Sequence, residues 1–277
     1  METTLRQTEP LTAAELADFE RDGFVHIAGA FARADAERMQ DEFWAELLDT
    51  CGARRDDPAT WPHRQLDLKR PKRAASERAF ETPRVAGALD ALLGEGTWDW
   101  PRDWGRPIVT FPSGAPLSAW DVPTGWHWDG RMSWNLGRPL NLFVVAFVAE
   151  MEPRGGGTAV VAGSPRLLVD NYQPLPPQYL GLGEGWHHTR LMRDHPHFAA
   201  LSGRTPTPDR NVRFMDAGSP LRVVELTGQP GDMVFCHPLL IHTQSQNCRS
   251  TPRMVRIKQQ LMGREAKRLG REEAAGR

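Results

Sequence analysis

The stretch TGWHWDGRMSW, residues 124–134, carries an imidazole and a carboxylate two positions apart, His127 and Asp129. In extended chain, residues i and i+2 project from one face. The pair can therefore reach one metal ion from the end of a single strand. A third ligand must come from elsewhere, and GDMVFCHPLLIHTQSQN, residues 231–247, offers two candidates, His237 and His242. Two histidines and one carboxylate on one side of an ion, with the opposite positions open, form the donor set of non-haem Fe(II) oxygenases. H-x-D alone is a common pattern, and a lone histidine is more often a packed or surface residue than a ligand. With His127 and Asp129 turned inward, strand alternation sends Trp126 and Trp128 to the outer layer. Arg131 shares the inward parity and is a candidate for holding an acid group of a substrate, with a plain salt bridge as the alternative.

Positioning these residues requires strands, and the second half of the chain supplies them. After Gly94, short apolar runs (PIVTF, LNLFVVAFVAEM, GTAVVAG, RVVELTG, GDMVFC, PRMVRIKQQL) alternate with the turn signals GGG, GSP and GQPGD. Their number and spacing predict a mainly β jelly roll in place of alternating β/α units. The first part, about 11–94, reads as a helical layer. Thr12 caps a first helix with Glu15 reaching back, Leu11 and Leu16 form a staple, and the helix ends near Gly23. GFVHIAGAF reads as a short strand. Met39, Phe43 and Leu47 recur at fours on a second helix whose face Trp44 and Leu48 widen. Thr82, Pro83 and Gly94 delimit a third, with Val85, Leu89 and Leu92 inward. The charged stretch DDPATWPHRQLDLKRPKR, residues 56–73, reads as a solvated loop.

One domain is expected, with a β core at about 105–261 and a tail at 263–277. The span 166–218 is longer than a turn requires and is expected to be a lid insertion, with Trp186 and His188 as candidate substrate contacts.

Composition narrows the function classes. With 34 basic and 35 acidic side chains among 277 residues, the net charge is −1, which provides no overall field for nucleic acid or an acidic membrane. Three irregularly spaced cysteines (Cys51, Cys236, Cys248) suit a reducing compartment. METTLRQTEP has no apolar signal region, and LFVVAFVA, residues 142–149, is too short to span a bilayer. A cytoplasmic protein acting on a small molecule is the expectation.

Several segments together resemble the phytanoyl-CoA dioxygenase family: LTAAELADFERDGFVHIAGAF, HWDG, GGGTAVVAGSPR and GQPGDMVFCHPLLIHTQSQNCRSTPRMVRI, in that order and over most of residues 11–261. The resemblance implies a double-stranded β-helix using Fe(II), 2-oxoglutarate and O2. It also implies His242 as the third metal ligand beside His127 and Asp129. In that family an arginine eleven positions beyond the distal histidine binds the far carboxylate of 2-oxoglutarate; here that residue is Arg253, with Asn247 between. A planar guanidinium pairs bidentately with a carboxylate. Thr158 matches a position where related enzymes place a hydroxyl near the cosubstrate.

The chain departs from the family pattern in two places. Thr243 and Gln244 stand where a small residue and then serine are common after the distal histidine, and GSP (163–165) stands in place of GSH. The implied activity is hydroxylation of a small organic or natural-product substrate with release of succinate and CO2. Two rivals from other classes are a metal-dependent cupin-like enzyme that does not use 2-oxoglutarate and a non-catalytic jelly-roll binding module. Arg253 discriminates against the first, and a complete ligand set against the second.

Overall fold

The computed structural model describes residues 8–69, 75–120, 125–128, 135–172, 199, 214–216 and 219–268. Helix α1 (Ala13–Asp22) begins at Thr12, whose hydroxyl accepts from Glu15 N–H while the Glu15 carboxylate accepts from Thr12 N–H. This is the expected capping box. It leads into β1 (Phe24–Ile27) and then α2 (Arg33–Cys51), which buries Met39, Phe43 and Leu47. Leu48 does not widen that face, being 52% exposed. It lies one helical step beyond Leu47 and so rotates past the edge of the apolar stripe. α3 (Pro83–Leu93) has the Thr82 cap and buries Val85, Leu89 and Leu92. The charged stretch 56–73 is not simply a solvated loop. It contains a 3-10 turn, Pro58–Thr60, and a short strand, β2 (Gln65–Asp67), paired to β3 (Arg106–Thr110). Its polar residues suit an edge strand, which must stay hydrated on its open side.

The remaining strands are β4 (Asn141–Phe147), β5 (Thr158–Ala162), β6 (Phe214–Asp216), β7 (Ser219–Glu225), β8 (Met233–Cys236), β9 (His242–Gln244) and β10 (Arg253–Met262). They build two antiparallel sheets, ordered β1-β8-β4-β10-β3-β2 and β6-β7-β5-β9. Alternation along the strands produces three apolar layers. Val109, Val144, Ala146, Phe235 and Met254 face the helices and pack with Phe19, Met39, Phe43 and Leu89. Their neighbours Ile108, Phe143, Val145, Val234 and Val255 face the other sheet and meet Val160 and Leu240. The outer face of the smaller sheet, Ala159 and Val161, is covered by Leu167, Leu168, Trp126 and Trp128. The mainly β jelly roll is thus present, and both tryptophans lie in the outer layer as their parity requires.

The segment GSP, expected as a turn, instead opens helix α4 (Ser164–Tyr172). Gly163, at φ +87°, ends β5, and its carbonyl accepts from Leu167 N–H at 3.2 Å. Proline in a first helical turn loses no hydrogen bond, which is why Ser-Pro begins this helix. The span 166–218 accordingly starts within α4 and includes β6. Most of the rest of that span, including Trp186 and His188, lies outside the described residues.

α1 is tied to this region at its end. The Asp22 carboxylate accepts from both terminal nitrogens of Arg222 on β7, at 2.8 and 2.7 Å, and Gly163 N–H donates to the Asp22 carbonyl at 3.0 Å. Gly23, at φ +84°, turns the chain into β1, and a Cβ there would lie 2.5 Å from the Pro165 ring. Gly23→Ala therefore combines left-handed strain with a clash. It is expected to lower unfolding stability by roughly 2 kcal/mol or more in urea titration, and an unchanged midpoint contradicts this packing.

Candidate functional site

The two sheets meet most polar groups near the β9 end of the smaller one. His127 stands on a short extended piece that pairs with β9. Its N–H donates to the His242 carbonyl at 2.9 Å, and His242 N–H donates back at 2.7 Å. A pair that exchanges both bonds holds its side chains on one face of the ladder. The two imidazoles stand 4.5 Å apart between ring centroids, and His242 stacks on Phe143 at 4.6 Å. In each ring Nδ1 lies against a backbone carbonyl two residues earlier, Gly125 O at 3.0 Å for His127 and Leu240 O at 2.9 Å for His242. A carbonyl only accepts, so Nδ1 carries the proton in both rings and the lone pair resides on Nε2. That arrangement fixes tautomer and orientation in the way a metal-ligating histidine requires.

Asp129 and Arg131 lie outside the described residues. Among the described residues no group of three or more His, Cys, Asp or Glu is placed to hold a metal ion. What the structure brings together is the histidine half of the expected triad.

His237 is elsewhere. Its Nδ1 accepts from Leu239 N–H at 3.1 Å, which leaves Nε2 to donate to the Asn135 carbonyl at 3.2 Å. Both ring nitrogens are thus used in binding the chain, and burial pushes the imidazole down to about 4, against the smaller opposing effect of the Asn135 carbonyl. It is a structural histidine.

Val160 is paired with His242, Thr158 with Gln244, and Arg253 with Thr110 on β3. Arg253 is 2% exposed. One terminal nitrogen donates to Thr158 Oγ1 at 3.1 Å, the other reaches Thr110 Oγ1 at 3.5 Å, and Nε has no partner among the described residues. Burial lowers its affinity for the proton, to a pKa of about 10, with Glu225 pulling the other way. Glu225 is already engaged: it accepts from Gly157 N–H, Arg154 N–H and Ser245 Oγ–H. No carboxylate among the described residues pairs with Arg253. An isolated buried charge is unfavourable by several kcal/mol unless something neutralises it.

Asn247 braces the surroundings of Arg253. Its amide donates to the carbonyls of Thr110 and Thr251, at 3.0 and 2.9 Å, and its side-chain oxygen accepts from Arg249 N–H. The loop from β9 to β10 is thereby folded so that Arg253 faces Thr110. The sequence did not single out Thr110 or Phe143. Both alternate inward on predicted strands, but only the register against β10 and β9 reveals what they touch.

No protein-family model matches the chain, and no curated protein matches it in sequence. Solved structures do match in fold. One is SnoK, a non-heme alpha ketoglutarate dependent carbocyclase from nogalamycin biosynthesis, at TM-score 0.51 and 16% identity over 89% of this chain and 82% of that one. Another is EctD from S. alaskensis with 2-oxoglutarate and 5-hydroxyectoine, at TM-score 0.51 and 18% identity over 91% of this chain and 77% of that one. At such identities the likeness establishes the fold, a double-stranded β-helix.

The site of His237 generates a pH prediction. Because its folded value lies below the ordinary 6.5, the unfolded chain takes up a proton that the fold refuses. Stability is fully present above about 6.5 and declines as pH falls toward about 4, by roughly 3 kcal/mol in all. Gln retains a donor and an acceptor without titrating. His237→Gln should therefore show a shallower loss of urea stability between these pH values than the unsubstituted chain, and parallel profiles contradict the assignment.

Proposed function

We propose that the chain is an Fe(II)- and 2-oxoglutarate-dependent oxygenase that hydroxylates a small organic or natural-product substrate. The observation that carries the reading is the buried Arg253, which pairs with no carboxylate among the described residues and reaches across from the other sheet to Thr158 on β5, the strand beside His242. A metal-dependent cupin-like enzyme that does without 2-oxoglutarate has no use for that charge. The fold's neighbours support the reading further. SnoK is described as alpha ketoglutarate dependent, and EctD has been solved with Fe bound and, separately, with 2-oxoglutarate.

In this reading His127 and His242 hold the iron through Nε2, together with Asp129. Iron bound there couples oxidative decarboxylation of 2-oxoglutarate to oxidation of the substrate, so that RH, O2 and 2-oxoglutarate give ROH, succinate and CO2. The chain's own residues supply order and dryness. The Nδ1 bonds to Gly125 and Leu240 keep both rings from turning and leave Nε2 as the ligating nitrogen. Arg253 and Thr158 anchor the far carboxylate and so set how far the keto acid reaches toward the histidines. Phe143, Val160 and Val255, packed between the sheets, exclude water from the space around them.

Succinate formation from 2-oxoglutarate under air is the direct test. Replacing His127, Asp129 or His242 with alanine should abolish it, whereas His237→Gln should retain it; full turnover in Asp129→Ala refutes the ligand set. Arg253→Lys keeps the charge but loses the fork. Its apparent affinity for 2-oxoglutarate should fall about tenfold or more, with iron content unchanged. Unaltered saturation by 2-oxoglutarate contradicts the anchoring role.

A further inference from the structure

Gln244 lies two residues beyond His242 on β9, on the same face, and its amide Nε2 donates to Thr110 Oγ1 at 3.0 Å. Thr110 Oγ1 also faces the Arg253 terminal nitrogen at 3.5 Å. A hydroxyl has one proton and two lone pairs. Both groups that approach Thr110 Oγ1 are donors, so both lone pairs are committed and the hydroxyl proton must be given to something else. Thr110 is 7% exposed, and no acceptor for that proton stands among the described residues. The situation at Thr158 is parallel: Oγ1 accepts from Arg253 at 3.1 Å, and its own proton has no acceptor there. Arg253 Nε–H is likewise without a partner. Three protons on three side chains thus require acceptor oxygens within one buried patch, and a carboxylate provides two oxygens and about four lone-pair sites.

We propose that Gln244 is a positioning residue for 2-oxoglutarate: by donating to Thr110 it forces the Thr110 hydroxyl to act as a donor to the far carboxylate, beside Thr158 and Arg253. This rests on the reading given above. Donor direction is what makes glutamine suitable. A carboxylate at the same place accepts from Thr110, consumes its proton and sets a negative charge beside the site for an anion. An apolar side chain of the same length leaves the hydroxyl free to rotate.

The test is anaerobic titration calorimetry of the Fe(II)-loaded protein with 2-oxoglutarate and with 2-oxobutyrate, which has the same keto-acid end but no far carboxylate. Gln244→Glu should weaken 2-oxoglutarate binding about tenfold or more, and Gln244→Met about threefold to tenfold. Neither variant should alter 2-oxobutyrate binding or iron content. Thr110→Val combined with Gln244→Met should bind 2-oxoglutarate no more weakly than Thr110→Val alone, since the two act through one hydroxyl. Equal weakening of both ligands in Gln244→Met marks a merely structural role and overturns the proposal, as does unchanged 2-oxoglutarate affinity in both Gln244 variants. Failure of the unsubstituted protein to bind 2-oxoglutarate overturns the functional reading itself, and this inference with it.

Discussion

A guanidinium buried between two β-sheets, with no carboxylate paired to it among the described residues, is the constraint around which the inner face of this protein is arranged. Arg253 cannot shed its proton near neutral pH, because even its depressed pKa of about 10 leaves it charged. It cannot reach water, being 2% exposed. Two threonine hydroxyls solvate it in part, and Glu225 stabilises it from a distance while remaining committed to the turn at Arg154–Gly157. Partial solvation of a buried charge leaves a large electrostatic demand. In the proposed reading a bound carboxylate meets that demand, and by binding only the folded chain it stabilises the fold.

The rest of the fold holds the receptor and the histidine pair in register with each other. β10 runs between β3 and β4, so Arg253 and Thr110 face each other across a ladder that both layers of core residues pin in place. β9 is short, three residues, yet it carries His242 and Gln244 and is bonded on one side to β5 and on the other to His127. Shifting it by a single residue turns both side chains out of the site. Asn247 and the Arg154–Gly157 turn brace the loop that follows, and those contacts guard against such a shift.

Much of this was legible in the sequence because strand parity is a strict rule. His127 inward with Trp126 and Trp128 outward follows from alternation, and the structure places all three accordingly; His237 is set apart from His242 by the turn that the Leu240 N–H to His237 carbonyl bond closes. The resemblance implies Arg253 as a carboxylate receptor, and the structure shows it buried with two threonine hydroxyls and no paired carboxylate among the described residues. Other features were beyond reach for definite reasons. Thr110 becomes part of the site only through register between strands more than a hundred residues apart, which no local pattern encodes. Gln244 departs from the family pattern, and only its bond to Thr110 shows what it touches. α4 was hidden by reading Ser-Pro as a turn, although proline is equally at home in a first helical turn. Asp129, Arg131, Trp186 and His188 lie outside the described residues.

The central claim is that one face of this jelly roll presents a metal and a dicarboxylate to each other at bonding distance. Anaerobic visible spectroscopy tests it most directly. Adding Fe(II) and 2-oxoglutarate together should produce a metal-to-ligand charge-transfer band that neither produces alone, since the band requires the keto acid to chelate the iron. Iron that binds without any such band at saturating 2-oxoglutarate contradicts the account.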